Sequence, residues 1–373
     1  MESAVTDFSF ELYRVLCKES ENLFFSPYSI SAALMFTMLG AKGASEEQIK
    51  QVLGVAGVPN PHQAYQKLHA ILMSKSRDGV KLAIANRIFS KLGLMIKKSY
   101  KKESLEHYHS EIELLDFVGD PKASSTRINT WVEDQTNGKI QCLIPEEQLQ
   151  LSLIVLINAI YFKGDWENAF EVSNTKREPF QISETELGTV EMMNMETDTW
   201  LIGMSKPLDC QVLNLPYKGG ELSMIIVLPN KVDGLSTLES NLSADAFRKL
   251  TKEMYHERVI VSIPKFKLKS SFELNKVLRG MGIIDIFTRK ADFGAMLESP
   301  PDGACVSDVI HKAFVEVNEE GTEAAAASWI GCVNRCEPPE PMVFKADHPF
   351  LFFIREHLTG TVLFIGRFLK PTN

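Results

Sequence analysis

An α+β fold is what this sequence predicts, on three observations. Strand-like apolar runs reach eleven residues, as in 152–162. Helical patterns are scattered between such runs. No regular alternation of strand and helix runs along the chain, as a doubly wound sheet requires.

Taken in order, residues 8–16 carry apolar side chains at helical spacing and read as an amphipathic helix. Phe24 and Phe25 are strand-like, and Ser26-Pro27 then opens a helix, with Ser as cap and Pro at the first helical position. That helix runs through Ile30 to Leu39 and stops at Gly40, and Ser45-Glu46-Glu47-Gln48 resembles a capping signal for a further short helix. Residues 81–89 form a strand, 126–137 a helix, and 152–162 a long buried strand followed by Gly164. Residues 221–228 and 258–263 are strands closed by Pro229 and Pro264, and 272–281 is helical. Strand character returns at 312–317, 350–354 and 362–368.

The chain has 373 residues, 45% of them hydrophobic, which is material for a sizeable core, and no linker-like segment divides it. It is expected to be one domain over 1–373. A net charge of −8 argues against nucleic acid as a partner. No apolar run approaches the ~20 residues of a membrane span, so no membrane partner is expected. The N-terminus lacks the basic and apolar regions of a cleaved signal peptide. Cys17, Cys142, Cys210, Cys305, Cys332 and Cys336 form no CxxC pair, which fits a reducing compartment. The cytoplasm is therefore the expected location, with unconventional release as an addition.

No GxSxG, HExxH, Walker or Rossmann motif occurs. The expectation is a protein that is not an enzyme, with no cofactor and no metal. His107-Tyr108-His109 is a poor metal pair, because residues i and i+2 do not share a helix face. The run Lys97-Lys98-Ser99-Tyr100-Lys101-Lys102 is a solvated helix face or a polyanion site.

Residues 318–341 differ from everything before them. An acidic start, Asn318-Glu319-Glu320-Gly321-Thr322-Glu323, leads into Ala324, Ala325, Ala326 and Ala327, then Ser328-Trp329-Ile330-Gly331-Cys332-Val333-Asn334-Arg335-Cys336 and a Pro-rich run. One reading is a short Ala-rich helix with a surface loop, although it has no apolar face to pack and is too short to stand alone. The other is a strand in waiting. Alternate positions from Thr322 (Ala324, Ala326, Ser328, Ile330 and Cys332) are small or uncharged, while the intervening set holds the charge of Glu323 and the bulk of Trp329. Side chains alternate across a strand, so this segment could enter a sheet with Glu323 and Trp329 outward.

The run Glu319 to Ala327 resembles the hinge of inhibitory serpins, and the resemblance extends over nearly the whole chain. Phe25-Ser26-Pro27-Tyr28-Ser29-Ile30 is similar to the family's strand-to-helix shutter segment. Asn129-Thr130-Trp131-Val132, with Thr136 and Lys139-Ile140, resembles the helix beside the main sheet. Asn158 to Gly164 with Trp166 resembles the central strand and the breach above it, and Asp347-His348-Pro349-Phe350 and Gly366-Arg367 resemble the C-terminal strands. The absent signal peptide and the short termini resemble the intracellular, ovalbumin-like branch, clade B.

The resemblance implies a large central mixed sheet, smaller sheets, surrounding helices and an exposed reactive-centre loop at 319–345. Its hinge, 319–328, would comprise Glu319, Gly321, Thr322, Glu323, Ala324, Ala325, Ala326, Ala327 and Ser328. Counting seventeen positions from Glu319 puts the cleaved bond at Arg335–Cys336, with one residue of slippage to Asn334–Arg335 open. Arg335 is otherwise a solvated loop cation, and Cys332 and Cys336 are oxidant-sensitive or plain loop thiols. Ser26, Ser29, Asn158 and His311 would form a polar cluster beneath the central strands, and Trp166 and a Lys265–Glu319 ion pair would form the breach. The implied activity is suicide inhibition of a trypsin-like serine protease by a monomer. A cysteine protease as target, and a non-inhibitory carrier, chaperone or storage role, are the alternatives.

Overall fold

The computed structural model describes residues 1–17, 21–76, 79–141, 143–320 and 340–372. Among these are ten α-helices: α1 (Glu2–Leu16), α2 (Pro27–Gly40), α3 (Gly43–Val52), α4 (Pro61–Met73), α5 (Lys98–Tyr108), α6 (Pro121–Gln135), α7 (Glu146–Leu149), α8 (Leu235–Asn241), α9 (Ala244–Lys252) and α10 (Asn275–Met281). The strands are β1 (Leu23–Phe25), β2 (Val80–Lys91), β3 (Ile112–Leu115), β4 (Ile154–Gly164), β5 (Lys176–Gln181), β6 (Leu187–Ser205) and β7 (Cys210–Pro216). They continue as β8 (Leu222–Pro229), β9 (Tyr255–Pro264), β10 (Phe266–Glu273), β11 (Val306–Val317), β12 (Met342–Lys345), β13 (Phe350–Glu356) and β14 (Val362–Phe368). No helix among the described residues is long and apolar enough to cross a membrane.

The strands form two sheets. A five-stranded mixed sheet runs β10-β11-β4-β2-β3, with β11 parallel to β4 and β2 parallel to β3. The other sheet has nine strands in the order β1-β14-β13-β8-β7-β6-β9-β12, with β5 on the edge of β6, and only β12 joins it in parallel. Both faces of the five-stranded sheet are covered, which is why β4 reads as an unbroken apolar run. Leu156, Ile160 and Phe162 face the main core, while Val155, Ile157, Ala159 and Tyr161 face a second core under α6.

Helix α2 is buried over its whole length, so it is apolar on all sides and lacks a preferred face. Its start follows the expected pattern: Pro27 occupies the first position and Ser26 Oγ accepts the Ser29 N–H at 3.1 Å. Other boundaries differ. The third helix begins two residues ahead of Ser45, at Gly43, and Ser45 Oγ instead accepts the Asp292 N–H at 3.0 Å. Residues 272–281 are not one helix, because Phe272 and Glu273 finish β10, where they pair with His311 and Ile310. Residues 342–345, placed in the loop by the sequence reading, are strand β12 beside β9.

The aromatic core sets one steric limit. Phe352 pairs across the sheet with Gly366, and a Cβ at Gly366 would lie 2.0 Å from the Phe352 ring. That ring is itself packed on Phe24 and Phe266, with centroids 5.9 and 5.2 Å away, and has nowhere to go. Gly366→Ala is therefore expected to cost about 3 kcal/mol, at the upper end for overpacking, read as a lower urea midpoint.

Candidate functional site

The site is the seam between β4 and β11. The two strands run side by side from Ile154 opposite Val306 to Phe162 opposite Val315. Above that level they part: β11 stays with β10 up to the Val317–Phe266 pair, while β4 stays with β2 up to Gly164–Val80. An opening of about 740 Å³ lies here, bordered by Lys163, Phe170, Lys265, Asn318 and Glu319.

The residues assigned to the breach meet at this opening. Trp166 Nε1 donates to the Asn318 carbonyl at 2.9 Å, and its ring stacks on Tyr217 at 4.7 Å. Lys265 Nζ lies 2.9 Å from Glu319 Oε2, and Thr175 Oγ1 donates to Glu319 Oε1 at 2.8 Å. The Glu319 side chain is only 7% exposed. Burial works against its charge, but the bonds from Lys265 and Thr175 outweigh it and hold the carboxyl below its usual range. The chain that leaves β11 is thus tied down at Asn318 and Glu319. Gly321, Thr322, Glu323, Ala324, Ala325, Ala326, Ala327, Ser328, Arg335 and Cys336 lie outside the described residues.

Halfway down the seam, Ser26, Ser29, Asn158 and His311 come together, all fully buried. Asn158 of β4 and His311 of β11 sit directly opposite each other. The Ser26 N–H donates to His311 Nε2 at 3.1 Å, so the proton of the neutral ring is on Nδ1, which donates to Asn158 Oδ1. Asn158 Nδ2 donates to the Ser29 carbonyl at 2.8 Å and to Asn86 Oδ1 on β2. Ser26 Oγ donates to the Leu363 carbonyl at 2.6 Å. Both strands of the seam are thereby bonded to each other and to the first turn of α2.

Sequence reasoning missed Asn86, Thr175 and Tyr217. Asn86 had a signal: Val80, Leu82, Ile84 and Ile88 share one face of β2, and Asn86 is the polar residue among them. Thr175 and Tyr217 come from distant segments and carry no local mark.

A family model described as serpin (serine protease inhibitor) matches residues 3–371. The chain is 39% identical to human serpin B3 over 391 residues, covering 100% of this chain and 99% of that one. It is 40% identical to the leukocyte elastase inhibitor of Xenopus tropicalis over 379 residues, with the same coverage. The crystal structure of uncleaved ovalbumin superimposes with a TM-score of 0.89 at 30% identity, covering 99% of both chains. Human thyroxine-binding globulin, in complex with thyroxine, gives 0.88 at 29% identity, covering 100% of this chain and 98% of that one. The class defined by this fold and these matches is that of protein inhibitors of proteases, not of enzymes. The chain belongs to the serpin family, on its ovalbumin-like clade B branch.

Burial pushes the His311 imidazole down to about 3. A second ring proton would also meet the Ser26 N–H head-on. A group held neutral in the fold but titrating near 6.5 when unfolded contributes stability above pH 6.5 and loses it as the pH falls toward 3. Between pH 7 and 5 the loss is about 2 kcal/mol. Unfolding free energies from urea melts at the two pH values should differ less in His311→Gln than in the wild type, by that amount.

Proposed function

We propose that this chain is a single-use trap for a trypsin-like serine protease, cut at Arg335–Cys336. The protease serine attacks the Arg335 carbonyl carbon, the bond to the Cys336 nitrogen breaks, and the new amine leaves with a proton. Arg335 is then held as an ester that water would normally hydrolyse. Insertion of a severed loop into the sheet is the established serpin form of strand addition, and it must outrun that hydrolysis.

The observation that carries the reading is the parallel β4–β11 pair, open at the end where the chain leaves β11. A segment turning back from Glu320 runs antiparallel to both strands at once. It replaces one parallel interface by two antiparallel ones, the slightly stronger kind per residue. With Thr322 opposite Val317, the small residues Ala324 and Ala326 fall on the same face as Val315 and Ala313, and Ser328 arrives opposite His311. Arg335 falls opposite Ala304, past the lower end of β11. Thr322 to Arg335 spans 14 residues, roughly 46 Å at strand rise, so the attached protease is carried the length of the sheet.

Ovalbumin and a thyroxine carrier share this fold, so what favours inhibition here is the hinge composition: no charge at Thr322 and no bulk through Ala327. The same reading makes the protein a cytoplasmic monomer of one domain. Mixed with trypsin and run on a denaturing gel, it should give a heavier band that survives boiling. Clipping without that band would make it a substrate, and a band with papain but not trypsin would redirect the target class. Thr322→Arg places a charge on the buried face, and the expected result is a tenfold or greater shift from complex to cleaved product. Arg335→Ala should abolish the trypsin complex, and undiminished inhibition would move the cleaved bond elsewhere.

A further inference from the structure

Away from the seam, the first turn of α2 reaches a second cluster. Tyr28, fully buried and next to Ser29, places its hydroxyl 2.9 Å from His69 Nδ1 and 3.4 Å from the Tyr65 hydroxyl. The His69 ring on α4 lies 6.2 Å from that of His109, the exposed residue that ends α5. Toward the other end of α4, the His62 and His107 rings lie 6.3 Å apart and nearly parallel. His62 Nδ1 meets the Tyr108 hydroxyl, and His107 Nδ1 meets Gln66 Oε1 at 3.1 Å. Four of the chain's eight histidines thus sit as two pairs between α4 and α5. From α3, Glu46 and Lys50 face His62 and are paired with each other. From β2, Arg87 shares a cavity of about 210 Å³ with His69 and His109, its charge met by Glu113 at 2.6 Å.

We propose that these two pairs form an acid-sensitive latch: neutral, they clamp α4 to α5 and hold Tyr28 and the first turn of α2 in the position that locks the seam; protonated, they force α4 off α5 and release that turn. The shortest bond of the buried Tyr28 hydroxyl is to His69 Nδ1, so a charge gained by that ring arises directly against the buried first turn of α2. Each doubly charged pair would also repel at close range in a poorly solvated place. Burial, and next the charge of the paired histidine, pull both His62 and His69 down to about 4. Released to water they would titrate near 6.5, so closure is favoured above pH 6.5 and loses ground as the pH falls toward 4. Relative to pH 7, each imidazole shifts the balance toward the open form by about 20-fold at pH 5. His311, at the far end of the same contacts, holds out to lower pH, so the latch yields before the seam titrates.

The latch stands on its own geometry, while its consequence, faster loop entry in acid, rests on the trap reading. Hydrogen exchange of the full chain at pH 7 and 5, corrected for intrinsic rates, would read the amides of α2's first turn and of β4. Wild type is expected to open about 400-fold more at pH 5, roughly 20-fold for each of the two imidazoles, and His62→Gln/His69→Gln to lose most of that response. An unchanged pH response in the double variant overturns the proposal. Should the double variant not fold, His109→Asn decides: a response reduced severalfold supports the latch, and an unaltered one refutes it. A trypsin gel at pH 7 on the same samples separates the two ideas, since a missing covalent band ends the trap and leaves the latch intact.

Discussion

One row of buried hydrogen bonds governs the five-stranded sheet. Asn86, Asn158 and His311 stand side by side on β2, β4 and β11, each the polar member of an otherwise apolar face. None can be left unpaired, because a stranded polar group in such a place costs on the order of 1–3 kcal/mol. Asn158 meets this demand by spending its carbonyl on one neighbour strand and its amide on the other and on α2. Beyond its strand pairing and apolar flanks, the seam is therefore fastened by a few directional side-chain bonds. Such a join can be given up and replaced, provided a newcomer brings equivalent partners.

Much of the fold was legible locally. Ser26-Pro27 marks the start of α2, and the long apolar run at 152–162 becomes β4 because both of its faces are covered. Asn158 and His311 could be picked out as polar residues within strands, and Asn86 carried the same mark unread. Where the reading slipped, a tertiary contact had overruled a short pattern. Phe272 has helix-like neighbours, yet it pairs beside His311 as the last part of β10. Ser45 looks like a cap, yet its hydroxyl serves a backbone amide nearly 250 residues away.

The upper opening was less legible for a related reason. Its parts come from β4, β10, the segment before β5 and the turn after β7, and only folding brings Thr175 and Tyr217 to Glu319 and Trp166. A pair such as Lys265–Glu319 has meaning only with its surroundings. At the surface it would contribute little, but here one partner is buried, so loss of Lys265 would leave a carboxylate without its counter-ion.

The C-terminal strands have a bearing on what a cut would leave behind. β12 is anchored on β9, Lys345 pairs with Glu178 at 2.7 Å, and β13 and β14 lie inside the nine-stranded sheet with Phe350, Phe352 and Phe364 fully buried. A break after residue 335 would divide the chain into pieces of 335 and 38 residues, and the shorter one supplies two interior strands, β13 and β14, and the edge strand β12. Such a nicked molecule should sediment as one particle, its tail surrendered only when the aromatic interior itself comes apart.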